Sequence, residues 1–297
     1  HSHNLPDTLT VLANGLVDGM PVVHDVHDLQ SLRRTPYENG FAQPRDAGEL
    51  ERAAVEESAA LVTVSDELLA ELARRYRLPQ RSLVFPNYAL ARDLPAELPV
   101  RPPPDASRPR IVYEGTLSTN GGHYDLREIF RALVEEGATL DVYPNRAVPE
   151  YHALAGRLPG LTVHEALEPA ALLRVLPRYD FGWAGFNQAL NKAHIDTALP
   201  NKLFEYLGCG LPVLTLEHEA MRRFLEERAV GIVLRDPHDL RAELSRSDLE
   251  ALRHRAAETR RDVTVEANIA SLVALYAAAT GVPLHGAIEG REVESAR

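Results

Sequence analysis

The sequence predicts an α/β protein made of two doubly wound domains, and three observations predict it. Short apolar runs alternate with amphipathic stretches about a dozen residues long, the rhythm of βαβ units. The alternation restarts after a proline-rich break, and 297 residues are enough for about two domains. A hydrophobic share of 45% and a charged share of 25% exclude disordered, collagen-like and coiled-coil classes.

In chain order, residues 5–17 read as a helix, 21–26 as a strand, 46–60 as a helix and 61–64 as a strand. Ser65 caps a helix over 66–76, with two acids in the first turn where the helix dipole favours them. A strand over 82–85 closes this series. Residues 94–109, LPAELPVRPPPDASRP, carry too many prolines for a helix or a strand ladder and form a linker. Beyond it come strands at 110–113, 139–142, 161–164, 179–183, 211–214 and 231–234, with helices at 124–136, 169–176, 201–207 and 217–227. The segment 239–280 is helical by pattern, with Gly281 and Pro283 as stop signals. Three strands before the linker are few for an open sheet, so residues 1–98 read as a partial first domain and 108–262 as a second.

A net charge of −11 argues against a nucleic-acid partner. No apolar stretch reaches the roughly 20 residues of a membrane span. Cys209 is the only cysteine, which rules out an intrachain disulfide framework and a thiolate zinc cluster and fits a cytoplasmic setting. Arg74, Arg75 and Arg77 form a basic helix edge: a weak peripheral contact with acidic lipid, or a solvated face.

The most informative segment is PNKLFEYLGCGLPVL, residues 200–214. Pro200 ends a loop, Asn201 caps a short helix, and Gly208 or Gly210 stops it before a buried strand. Uncompensated N–H groups at that helix start, together with Lys202, suit a phosphate. Glu205, one turn on, can accept from the paired hydroxyls of a ribose. The bland alternative is a surface Lys202–Glu205 pair. Yet the chain's two lysines, Lys192 and Lys202, lie in this one region against thirty arginines, as if a compact point charge were needed. On this reading Lys202→Ala lowers turnover with little loss of stability.

The loop GTLSTNGGH, Gly115 to His123, runs from strand to helix, so its N–H groups can form an anion nest around Gly121 and Gly122. The alternative is an ordinary glycine-rich connection. In HDVHD, residues 24–28, His24 and Val26 share one face, leaving His27 and Asp28 at the strand exit to face a cleft. With His1 and His3 upstream, the same residues admit a metal-dependent hydrolase, although eight βα units of a barrel are not present in the pattern. Phe181, Trp183 and Phe186 read as core.

PNKLFEYLGCGLPVL resembles the donor-site motif of the GT-B glycosyltransferases, especially family 4. PVVHDVHD (21–28), AALVTVSDELLAEL (59–72), VFPNY (84–88) and VYEGTLS (112–118) agree with that family in order and spacing. The resemblance implies two Rossmann-like domains facing a cleft. The second would hold a nucleoside-diphosphate sugar as co-substrate, the first a carbohydrate or lipid-linked hydroxyl acceptor, and residues 263–281 would cross back to the first. It implies no tightly bound cofactor and no metal, transfer with retention, and work in polysaccharide biosynthesis. By resemblance Glu205 binds ribose, Gly115, Gly121 and Gly122 belong to the phosphate loop, and Arg127 stands for its basic residue. Asn201 and Lys202 meet the pyrophosphate, and His27 donates to the leaving group. The family's second acid falls on Thr197 here, so its role passes to the adjacent Asp196. Asn87 falls just before the interdomain crossing and reads as a turn residue. No glycine-rich loop of the family's first strand precedes His1, so the first domain is expected to be truncated. A sugar-nucleotide epimerase or hydrolase, or a non-catalytic binding fragment, is the alternative on the same fold.

Overall fold

The computed structural model describes residues 1–3, 7–16, 19–35 and 45–282. The first lobe runs β1 (Ser2–His3), α1 (Thr8–Leu16), β2 (Val23–Val26), α2 (Ala47–Glu57), β3 (Ala60–Thr63), α3 (Asp66–Arg75) and β4 (Ser82–Val84). Its strands form a parallel sheet in the order β1-β2-β3-β4. β1 was not legible in the sequence because it is two polar residues long. Residues 5, 6 and 17 of the predicted first helix, and Pro283, lie outside the described residues.

The second lobe runs β5 (Arg110–Gly115), α4 (Arg127–Glu135), β6 (Thr139–Pro144), α5 (Pro149–Ala155), β7 (Leu161–Val163), α6 (Pro169–Val175) and β8 (Phe181–Trp183). It continues through α7 (Lys192–Ile195), α8 (Asn201–Gly208), β9 (Val213–Leu216), α9 (Glu219–Arg228), β10 (Gly231–Leu234), α10 (Leu240–Arg246) and α11 (Leu249–Thr259). The six strands are parallel in the order β10-β9-β8-β5-β6-β7. That is the strand order of a dinucleotide-binding fold, and its direction reverses between β5 and β8. Ligands of such sheets sit in the crevice at the carboxyl ends of the two strands flanking that point.

Local chemistry explains the elements. Ser65 Oγ accepts from Leu68 N (3.0 Å) and caps α3, which has Asp66 and Glu67 in its first turn and Arg74 and Arg75 in its last. Leu68 and Leu72 on its inner face are fully buried, each contributing about 1.5–3 kcal/mol. The basic edge of α3 is internally matched: Arg74 and Arg75 both donate to Glu71. Those guanidiniums hold the Glu71 carboxyl down to about 2.

The second lobe buries Tyr113, Phe130, Phe181, Trp183, Phe204 and Tyr206 completely. Phe181 and Trp183 are core as expected, whereas Phe186 also lines the interlobe cleft. The last helix, α12 (Val265–Thr280), leaves this lobe and packs Leu275, with Leu272 and Tyr276, against Val23, Ala60 and Val62 of the first sheet. Thr264 caps it, and Val265 N donates to Ala89 O (3.0 Å) where the chain re-enters the first lobe. No helix of the described residues is long and apolar enough to cross a membrane.

Candidate functional site

A cleft of about 770 Å³ lies between the lobes, at the carboxyl ends of β2 and β5. The first lobe contributes His27, Asp28, Arg33 and Asn87; the second contributes Glu114, Gly115, His123, Asn201, Lys202 and Glu205. The volume falls in the range of small-molecule sites, roughly 300–1,000 Å³.

Helix α8 delivers three of these residues. Leu203, Phe204, Tyr206 and Leu207 are fully buried and fix the helix against the sheet. Pro200, not Asn201, is the capping residue, so Asn201 occupies the first helical turn. Proline's fixed φ presets that start, and the first N–H groups of a helix have no partner within it. Pro200, Asn201 and Lys202 all line the cleft, so the positive end of α8 opens into it.

Lys202 is only 7% exposed. Its Nζ lies 4.6 Å from the Tyr113 ring centroid, 5.5 Å from Phe186 and 5.9 Å from Tyr124, within cation–π range of all three. Burial lowers its pKa to about 8, although the carboxyls of Glu114 and Glu205 pull the other way. This corrects the expectation that Lys202→Ala costs little stability: the change would open a buried hole and strand two acids.

Glu114, which the sequence reading passed over, is the second acid. It is 4% exposed and its carboxyl is pushed far above the usual carboxylate range, first by burial and then by the charge and hydrogen bond of Glu205. Its Oε1 meets no hydrogen-bond partner among the described residues. The legible signal was an acid at the carboxyl end of a buried strand, directly before a glycine. Gly115 has φ +111°, and a Cβ there would stand 3.4 Å from Lys202 Nζ. A Cβ there would make ordinary contact, so it is the positive φ that calls for glycine.

The loop after β5 does not form the expected nest at its glycines. Gly121 N donates to Asp125 Oδ2 (3.1 Å), and Gly122 N donates to Asn120 Oδ1 (2.9 Å) in an Asx turn, so both donors are taken by local side chains. Arg127 is clamped by Asp125 at 2.8 and 2.7 Å, and neither it nor the two glycines line the cleft. Gly115 alone of that loop's expected contacts does.

Asp196 is not brought to the cleft either. Lys192 Nζ holds its two oxygens at 2.8 and 2.9 Å, an i,i+4 pair outside the cleft lining. Thr197, next to it, turns its hydroxyl to His194 O (3.0 Å). His27 and Asp28 do line the cleft, while His24 is fully buried with Nδ1 2.9 Å from Thr10 Oγ1, as the strand alternation requires. Burial opposes protonation of His27, but the hydrogen bond and charge of Asp25 and the charge of Asp28 outweigh it and raise its pKa.

Several residues at the cleft were not singled out in the sequence because their partners are far along the chain. Asn191 Oδ1 accepts from Arg34 N (2.7 Å), and its Nδ2 lies 2.8 Å from Thr35 Oγ1 and 3.0 Å from His123 Nδ1. Burial, then the charges of His194, Arg33, Lys202 and His218, drives His123 down to about 2, so its ring is neutral and can accept from Asn191. His194 Nδ1 reaches Leu29 O at 3.1 Å, and Ser65 Oγ donates to Thr197 O at 2.6 Å. The bonds of Asn191 to Arg34 and Thr35, of His194 to Leu29 and of Ser65 to Thr197 cross between the lobes.

Two parallel-sheet lobes with a shared cleft at their carboxyl ends define a GT-B architecture. The glycosyl transferase-like family profile matches residues 125–274, half of the chain, and the chain belongs to that family. Sucrose-phosphate synthase from Thermosynechococcus elongatus superposes with a TM-score of 0.69 at 14% identity, covering 91% of this chain and 70% of that one. HepE from Anabaena, in complex with UDP and glucose, gives 0.63 at 12% identity, covering 92% and 77%. WaaG, a glycosyltransferase involved in lipopolysaccharide biosynthesis, gives 0.59 at 16% identity, covering 94% and 81%. At these identities the likeness establishes the shared fold. Among curated protein sequences none matches.

Proposed function

We propose that the chain transfers a sugar from a nucleoside diphosphate to a hydroxyl acceptor, with the donor lying in the interlobe cleft. The observation that carries this reading is the convergence of the α8 N-terminus, Lys202 and Glu205 on that cleft, beside the positive-φ glycine Gly115. The pyrophosphate meets the helix start and the Lys202 ammonium; the ribose hydroxyls meet Glu205. The glucose and UDP present with HepE support this class of donor.

In the reaction, the acceptor oxygen bonds to the anomeric carbon as the bond from that carbon to the phosphate oxygen breaks. The hydroxyl proton leaves with the nucleoside diphosphate, and the family precedent is retention. No protein nucleophile is required. Lys202 and the helix dipole stabilise charge developing on the leaving diphosphate. His27, on the facing lobe, donates to the same leaving group. Asp196 has no part in this scheme. The acceptor, a carbohydrate or a lipid-linked one, enters from the first lobe. The buried, unpaired Cys209 supports a reducing, cytoplasmic setting.

Incubation with labelled uridine- and guanosine-diphosphate sugars and an acceptor panel tests the reading. A new glycoside is the expected product, abolished in Glu205→Gln. Free sugar, a new epimer, or nucleotide binding without turnover would each replace transfer with another activity on the same fold.

A further inference from the structure

β1 and β2 are neighbours in register, with His3 opposite Asp25. That pairing gathers a second group of side chains at the first lobe's rim. His1 Nε2, His3 Nδ1 and His27 Nε2 lie 3.1, 3.2 and 3.2 Å from the same atom, Asp25 Oδ2. His3 Nδ1 and His27 Nε2 are 3.3 Å from each other. Hydrogen bonding alone satisfies this arrangement poorly: one carboxylate oxygen has two lone pairs and here faces three ring nitrogens. A cation at the focus reverses the problem, since each nitrogen then turns a lone pair inward. Any two ligands of a tetrahedral zinc at about 2.1 Å stand about 3.4 Å apart, close to the distances of the three ring nitrogens from Asp25 Oδ2.

We propose that His1, His3 and Asp25, with His27 beside them, form a site for one zinc-class divalent ion. The ligand atoms of the first three all lie within 4.8 Å of one another, and an imidazole-rich set with one carboxylate suits that class. The outer shell fits as well: the other ring nitrogen of His1 is hydrogen-bonded to the Tyr276 hydroxyl on α12, the kind of partner that orients a metal-bound imidazole. His3 is exposed, so an ion has a path in. Bound there, the ion ties the edge strand β1 to β2 and, through Tyr276, to α12. It also engages His27, a residue of the cleft lining.

The test needs no sugar nucleotide, so its failure leaves the transferase reading untouched. The full chain, without a polyhistidine tag and stripped with a chelator, is titrated with zinc chloride by calorimetry, and cobalt(II) is added in parallel. Saturation at one ion per chain, a raised Tm and the visible bands of four-coordinate cobalt are expected. His3→Ala and Asp25→Asn each weaken zinc by about tenfold or more, while His254→Ala, remote on α11, does not. Circular dichroism of both variants checks their fold. No saturable zinc binding, or undiminished affinity in the folded His3→Ala protein, overturns the site.

Discussion

At the scale of single residues, Lys202 concentrates the chemistry. Lys202→Met keeps the volume of the buried stem while removing the charge, so donor turnover is expected to fall about 100-fold in kcat/KM, with circular dichroism unchanged. The pH dependence runs in two directions. The native lysine titrates near 8 against an ordinary 10.5, so the unfolded chain holds the proton longer and stability rises with pH across that interval. Donor binding needs the charge that is being lost, so donor KM climbs above pH about 8; Glu114, Glu205 and the neutral His123 surround the ammonium throughout. A flat KM profile from pH 7 to about 9 would remove Lys202 from phosphate contact. Gly115→Ala forces a Cβ into a positive-φ position beside Nζ, costing on the order of 1–3 kcal/mol and raising donor KM together with loss of urea resistance. The placing of Lys202 and Glu205 one turn apart on a single short helix was legible in the sequence. Glu114 offered only its place at a strand's carboxyl end, and it is the reversal of strand order between β5 and β8 that turns that end toward the cleft.

At the scale of elements, strong periodicity and capping made α3, α9 and most strands readable. Ser65 is both the cap of α3 and a donor to Thr197 in the other lobe. Ser65→Ala therefore loses a cap and a cross-lobe bond, a destabilisation of about 1–2 kcal/mol by urea unfolding; a change below a few tenths would show that neither bond contributes. The elements missed are short or polar: β1 has two residues, α7 four, and α5 starts on a proline that punctuates a loop as readily as a helix. The Gly121–Gly122 turn misled for a different reason. Asn120 and Asp125 compete for its N–H groups, and composition alone does not say which acceptor wins.

At the scale of the whole molecule, the two-lobe plan was legible because its hydrophobic rhythm restarts after the linker. The junction was not, since Asn191, His194 and Thr197 join residues more than a hundred positions away. Asn191→Ala unlinks Arg34, Thr35 and His123 at once, and its signature is a raised KM for both substrates with less change in kcat, measured by initial rates. Deleting α12 uncovers Val23, Ala60 and Val62; the truncated chain is expected to bind a surface-hydrophobicity dye and aggregate on heating. The same helix orders events during synthesis. The strands it covers leave the ribosome early and it leaves late, so the underside of the first sheet stays bare until translation of the described chain is almost over, and no single cut yields two self-sufficient halves.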